Sequence, residues 1–130
     1  MAVGILLVTH PGIGVALVDV ATSLLRNLPL KVEAFEVPFD GDPQALLPQA
    51  SAALRKVDGG QGVLVLTDLY GATPSNLAAM LARLGTPVRR VSALSLPMLL
   101  RVMNYADLPL DALPAVAAAG ARNGAITDDA

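Results

Sequence analysis

A chain of 130 residues has the size of one domain and can bury one core. Its net charge of -2, with nine basic residues spread along the chain and no basic cluster, gives no electrostatic footprint for nucleic acid. The absence of cysteine excludes a disulfide framework, a thiolate metal site and a cysteine nucleophile, and 54% hydrophobic against 15% charged residues leads us to expect surface buried against a second chain.

Met1 to Val18 carries no formally charged residue, yet it reads as neither a signal peptide nor a membrane span. A secretory signal needs a basic start, and His10-Pro11-Gly12-Ile13-Gly14 breaks the apolar run well short of the roughly 20 residues that cross a bilayer. A cytoplasmic protein with no direct membrane insertion is expected. Val3 to His10 reads instead as a buried strand that carries the only histidine, His10, at its carboxyl end.

After the turn residues Pro11 to Gly14, the polar residues Asp19, Thr22, Ser23, Arg26 and Asn27 recur at helical spacing and form one stripe. The same helix carries a wide apolar surface of Val15, Leu17, Val18, Val20, Ala21, Leu24 and Leu25, suited to packing on a sheet. Leu30 to Val37, with Lys31, Glu33 and Glu36, suits a strand nearer the sheet edge. Asp42-Pro43 is a helix start, followed by Leu46, Leu47, Ala50, Leu54 and Val57 on one face and a stop near Asp58-Gly59-Gly60.

Gly62 to Thr67 is a second continuous apolar run of strand length, ending in Asp68. Thr73-Pro74 reads as N-cap and first helical residue, with Leu77, Met80, Leu81 and Leu84 as the buried stripe before Gly85. A fourth strand is predicted over Val88 to Leu94. Ser95 opens a short helix to about Asn104, and a last helix starts near Asp111 or Leu113 and ends at Gly120. Gly124 to Thr127 reads either as a short strand or as an irregular end. Alternation of strands and helices along the chain predicts an α/β fold: an open, doubly wound, mainly parallel sheet with helices on both faces, joined by right-handed crossovers.

In such a sheet, ligands bind beyond the carboxyl ends of the strands where the strand order reverses. In the order 2-1-3-4 that point lies between the strands ending in His10 and Asp68. A carboxylate there can accept from one ring N–H and leave the other nitrogen's lone pair as a nucleophile. The amino terminus of the helix at Thr73 offers free N–H groups and a positive dipole end to phosphoryl oxygens. Each piece has a plainer reading: a structural histidine, a solvent-facing carboxylate, a good helix start. Their coincidence at one switch point is what favours chemistry.

Other motifs carry less. Gly12-Ile13-Gly14 imitates a dinucleotide fingerprint, but Leu17 stands at the third glycine position, and a G-x-S-x-G elbow is absent. One imidazole and no thiolate disfavour zinc, and aromatic residues at 3% offer few stacking partners for flavin. Tyr70 sits at the expected rim of the site, as a contact or as packing.

These residues resemble the enzyme IIA component of the mannose type (mannose, fructose, sorbose) in the bacterial sugar phosphotransferase system. The carriers are Thr9-His10 after the first strand, the segment Val63-Leu64-Val65-Leu66-Thr67-Asp68-Leu69-Tyr70-Gly71-Ala72-Thr73-Pro74-Ser75-Asn76, and Leu96-Pro97-Met98-Leu99. The middle segment is the specific one. The resemblance spans nearly the whole chain, read as a single IIA domain over residues 1–130.

It implies that His10 accepts a phosphoryl group from the phosphocarrier protein HPr and passes it to a IIB partner, with Asp68 orienting His10 and no cofactor. Thr73, with Gly71, Ala72 and Gly12, would contact the phosphate, and Tyr70, Pro97 and Met98 would meet partners. It further implies a homodimer in which a short carboxy-terminal strand, Gly124 to Thr127, is exchanged, and a cytoplasmic location peripheral to a membrane permease. Pro11 departs from the family pattern, where glycine is common, and removes one N–H from the loop while Gly12, Ile13 and Gly14 keep theirs. No fused second domain is expected, and IIB is expected as a separate chain. A regulatory binding module that uses the same His10 without sugar transport is the competing reading, and a phosphocarrier for dihydroxyacetone phosphorylation ranks below it.

Overall fold

The computed structural model describes residues 2–128. The strands are β1 (Gly4–Thr9), β2 (Val32–Glu36), β3 (Val63–Thr67) and β4 (Val88–Val91). The helices are α1 (Gly14–Leu25), α2 (Pro43–Val57), α3 (Thr73–Leu81), α4 (Leu96–Asn104) and α5 (Leu113–Asn123), the last preceded by a 3-10 turn over Leu110–Ala112. The sheet order is β2-β1-β3-β4 and every pairing is parallel, as the alternation of elements predicts.

β1 and β3 are buried along their full lengths because both of their faces are covered. Successive side chains of a strand point to opposite faces, and the two cores divide accordingly. Ile5, Leu7, Leu64 and Leu66 join Ala21 of α1, Met98, Leu99 and Val102 of α4, and Leu113 and Ala117 of α5. Leu6, Val8, Val63 and Val65 join Ala50, Leu54 and Val57 of α2 and Leu77, Ala78 and Leu81 of α3. The charged strands β2 and β4 take the edges, the former only half-buried and the latter turning Arg89 and Arg90 outward. No helix among the described residues is long and apolar enough to cross a membrane.

Two helix starts form as predicted. The Asp42 carboxylate accepts from the Gln44 N–H at 3.1 Å, and the Ser95 hydroxyl accepts from the Met98 N–H at 3.2 Å. α3 differs. Its N-cap is Ala72, Thr73 is already helical, and the Thr73 hydroxyl makes no capping bond. The helix also stops earlier than predicted, because Arg83 and Leu84 donate to the carbonyls of Met80 and Leu81 in tight final turns. Those turns leave Leu84 50% exposed, outside the buried stripe expected for it.

Other departures have equally local causes. β4 ends at Val91 rather than Leu94 because Ala93 adopts φ 65°, which breaks the extended path, although the Leu94 N–H still reaches the Thr67 carbonyl at 2.9 Å. The apolar surface of α1 is wider than the sheet can cover: Leu17, Val18, Ala21 and Leu25 pack inward, while Val15, Val20 and Leu24 remain exposed. Gly120 does not end the last helix. It lies inside α5 because a Cβ there would stand 2.7 Å from the Arg101 Cβ and 3.1 Å from the Met98 Cα, so glycine serves the close approach of α5 to α4. Gly124 to Thr127 is exposed and forms no strand within the chain.

Gly4 is a sterically obligate glycine. A Cβ there would collide with the Val57 carbonyl oxygen and stand 2.6 Å from its carbon, both backbone atoms that cannot swing aside. Gly4→Ala is therefore expected to destabilise the chain by about 3 kcal/mol through overpacking, measurable by urea unfolding.

Candidate active site

β1 and β3 are hydrogen-bonded neighbours with Val8 opposite Thr67, so the chain leaves both strands side by side and presents His10 next to Asp68. The His10 Nδ1 lies 2.8 Å from Asp68 Oδ2, and the His10 backbone N–H donates to the same oxygen at 2.9 Å. One carboxylate oxygen thus fixes both the backbone and the ring. Since an ionised carboxylate can only accept, Nδ1 carries the hydrogen and Nε2 holds the lone pair. The imidazole side chain remains 24% exposed and the carboxylate 10%. Asp68 Oδ1 is buried without a hydrogen-bond partner among the described residues.

The turn that follows is closed by short contacts. The Thr9 hydroxyl donates to the His10 carbonyl at 2.8 Å and accepts from the Gly14 N–H at 3.0 Å. Phe39, from the loop after β2, stacks on the imidazole with ring centroids 5.7 Å apart and planes 26° apart. A phenyl ring 79% exposed is held there by a contact with the imidazole and not by a core. Sequence inspection missed it, since the Phe39 position carries no periodic signal.

Glu36 was also missed. It is the last residue of β2 and stands opposite Thr9 in register. Its Oε1 accepts from the Gly12 N–H at 3.1 Å and its Oε2 from the Val15 N–H at 3.0 Å. An acidic residue at a strand end beside the amino terminus of α1 was the available signal. The bonds from Val15 and Gly12 hold the Glu36 carboxyl below its ordinary value of 4.5, against a small opposing effect of burial. A lowered folded-state value means that this stabilisation is fully present above about 4.5 and is lost as pH falls through the lower value. The amide shifts of Gly12 and Val15 are expected to titrate together with a midpoint below 4.5, followed by NMR.

The remaining residues expected at the site divide. Gly71, at φ 86°, and Ala72 form the turn into α3, with the Ala72 N–H donating to the Leu69 carbonyl at 3.3 Å. Thr73 opens α3 five residues after Asp68. The Gly12 N–H, expected to face a phosphate, is committed to Glu36. Tyr70 is 81% exposed and lines, with Thr67, Ser75, Arg90 and Ser92, a cleft of about 360 Å³. Neither His10 nor Asp68 lines that cleft. Pro97 is exposed, but Met98 is fully buried in the core under α4, so its side chain is not a contact surface for a partner.

An imidazole held by a carboxylate at the switch point of a parallel sheet is also a feature to set beside known proteins. Residues 4–118 match the family model EIIA-man, described as the PTS system fructose IIA component. The transcriptional regulatory protein LevR of Bacillus subtilis (strain 168) is 31% identical over an alignment of 119 residues that covers 85% of this chain; the chain spans only 12% of the length of that relative. Among solved structures, the mannose/sorbose specific IIA subunit of the phosphotransferase system from Enterococcus faecalis superposes with a TM-score of 0.86 at 21% identity, over 100% of this chain and 97% of that one. A sigma-54 interaction domain protein from the same organism superposes with a TM-score of 0.77 at 17% identity, over 95% and 93% of the two chains. With the family model covering β1 through most of α5, the chain belongs to the family of IIA components of the phosphotransferase system, fructose/mannose type.

Proposed function

We propose that the protein is a phosphocarrier that takes a phosphoryl group from HPr on His10 and passes it to a IIB partner in the cytoplasm. The observation that carries this reading is the 2.8 Å contact of Nδ1 with Asp68, which reserves Nε2 for attack. The Nε2 lone pair forms a bond to phosphorus as the bond from phosphorus to the donor nitrogen breaks, and the electron pair returns to the donor ring. The onward step is the same exchange in reverse roles. Positive charge that develops on the ring is balanced by Asp68 through Nδ1–H, and the charge on the phosphoryl oxygens by the N–H groups that open α3 at Thr73. A homodimer fits the exposed Val15, Val20 and Leu24 of α1 and the exposed Ile126 of the tail.

A regulatory reading has specific support in the LevR relative and in the fold shared with the sigma-54 interaction domain protein. On this reading the same phosphohistidine reports to a sensor and no sugar follows. Incubation with phosphoenolpyruvate, enzyme I and HPr tests both. Acid-labile phosphate on His10 that chases onto a purified IIB supports transport. Labelled protein that releases nothing to IIB supports regulation, and a wild-type chain unlabelled under conditions that phosphorylate HPr refutes both.

A further inference from the structure

Glu36 takes no part in holding the imidazole, yet it governs the loop that follows. It is fixed from two sides: by its place opposite Thr9 in the β1–β2 pairing, and by the Val37 N–H that donates to the Thr9 carbonyl at 2.8 Å. Its two oxygens are divided between Gly12 in the loop and Val15 in the first turn of α1. The carboxylate therefore sits at the positive end of α1, where an external anion would otherwise be received.

The loop has little left to offer a phosphate. Of residues 10–15, the N–H groups of His10, Gly12, Gly14 and Val15 donate to Asp68, Glu36, Thr9 and Glu36 respectively, Pro11 has none, and only the Ile13 N–H lacks an acceptor among the described residues. A phosphoryl group on His10 that turned toward α1 would have to displace a carboxylate held by two hydrogen bonds. It would also approach a like charge anchored two residues from the nucleophile. The α3 side carries no such acid in its first turn.

We propose that Glu36 is a positioning residue of the phosphoryl transfer, filling the α1 end of the site so that the phosphoryl group of His10 is confined to the α3 end, and shortening the life of the phosphohistidine by like-charge repulsion. This rests on the phosphocarrier reading. It gives Pro11 a physical context, since the loop amides serve to seat Glu36 and one N–H fewer costs the phosphate nothing. A short-lived intermediate suits a carrier that must hand its phosphoryl group onward.

The test uses the full chain, charged by phosphoenolpyruvate, enzyme I and HPr and then separated from them. Loss of acid-labile phosphate at neutral pH is timed for wild type, E36Q and E36D, and amide shifts are recorded before and after charging. E36Q removes the charge at nearly constant size, keeps an acceptor for only one of the two N–H groups, and is expected to lengthen the half-life about twofold to fivefold, the range for one partly exposed charge pair. E36D keeps the charge one methylene farther back and is expected to stay nearer the wild-type half-life than E36Q does, which a purely structural role for the longer side chain would not give. In wild type, charging is expected to move the amides of Thr73 and Ser75 and to leave those of Gly12 and Val15 in place. An E36Q half-life equal to or shorter than wild type overturns the proposal, as do wild-type Gly12 and Val15 amides that move as far as Thr73 and Ser75. Wild type that takes up no label overturns the phosphocarrier reading and this proposal with it; labelled wild type with an unchanged E36Q half-life overturns the role of Glu36 alone.

Discussion

His10→Ala takes up no acid-labile phosphate from phosphoenolpyruvate, enzyme I and HPr, on the proposed function, and the loss is complete rather than partial. His10 is the only histidine and the chain has no cysteine, so no second imidazole or thiolate stands in as an acceptor. The fold survives the change. The imidazole lies at the rim, 24% exposed, and the backbone N–H of residue 10 still satisfies Asp68 Oδ2. What is lost is the Nδ1 contact with a largely buried carboxylate, a cost of about 1 to 3 kcal/mol. Urea unfolding measures that cost, and mapping of the label by mass spectrometry decides the chemistry. Phosphate that persists in His10→Ala would place the acceptor elsewhere and end the reading of His10 as nucleophile.

Asp68→Asn carries the second largest expected effect, a slowing of phosphoryl uptake by about a hundredfold or more with the fold retained. The side chain keeps its size, so packing at the ends of β1 and β3 is little disturbed. The chemistry changes in two ways. A neutral amide gives up the charge that balances the imidazolium-like transition state. An amide also has donors, and when its NH2 group faces Nδ1 the ring is driven to the tautomer with hydrogen on Nε2, which has no lone pair for phosphorus. Rapid-quench kinetics gives the rate and nitrogen NMR of His10 gives the tautomer. Uptake within about threefold of wild type would mean that Asp68 only decorates the strand end.

The regulatory reading and the transport reading share every residue named so far, which follows from the physics of the site. Phosphoryl transfer between proteins needs an exposed, oriented nucleophile and charge balance; it needs no substrate cavity. The cleft beside Tyr70 and Arg90 accordingly lies next to the site without including it. Discrimination therefore rests on what the phosphorylated surface binds afterwards, and Phe39 and Tyr70, both highly exposed beside or near His10, are the side chains a partner would meet.

The sequence by itself determined the elements, their order and the pairing of His10 with Asp68. Continuous apolar runs of strand length read as strands covered on both faces, helical spacing marks the crossovers, and in the order 2-1-3-4 the switch point falls between the strands that end in these two residues. Asp42 and Ser95 were legible for the same reason, since a cap depends on its nearest neighbours in the chain. Only the tertiary structure decided that Glu36 reaches the amides of Gly12 and Val15, that Phe39 covers the imidazole, that Met98 turns inward and that Gly120 serves helix contact instead of helix ending. Each of these is a contact between residues 19 or more apart in sequence or a direction in which a side chain turns. Such features are set by strand register and by the fit of helices on the sheet, which no local pattern of residues encodes.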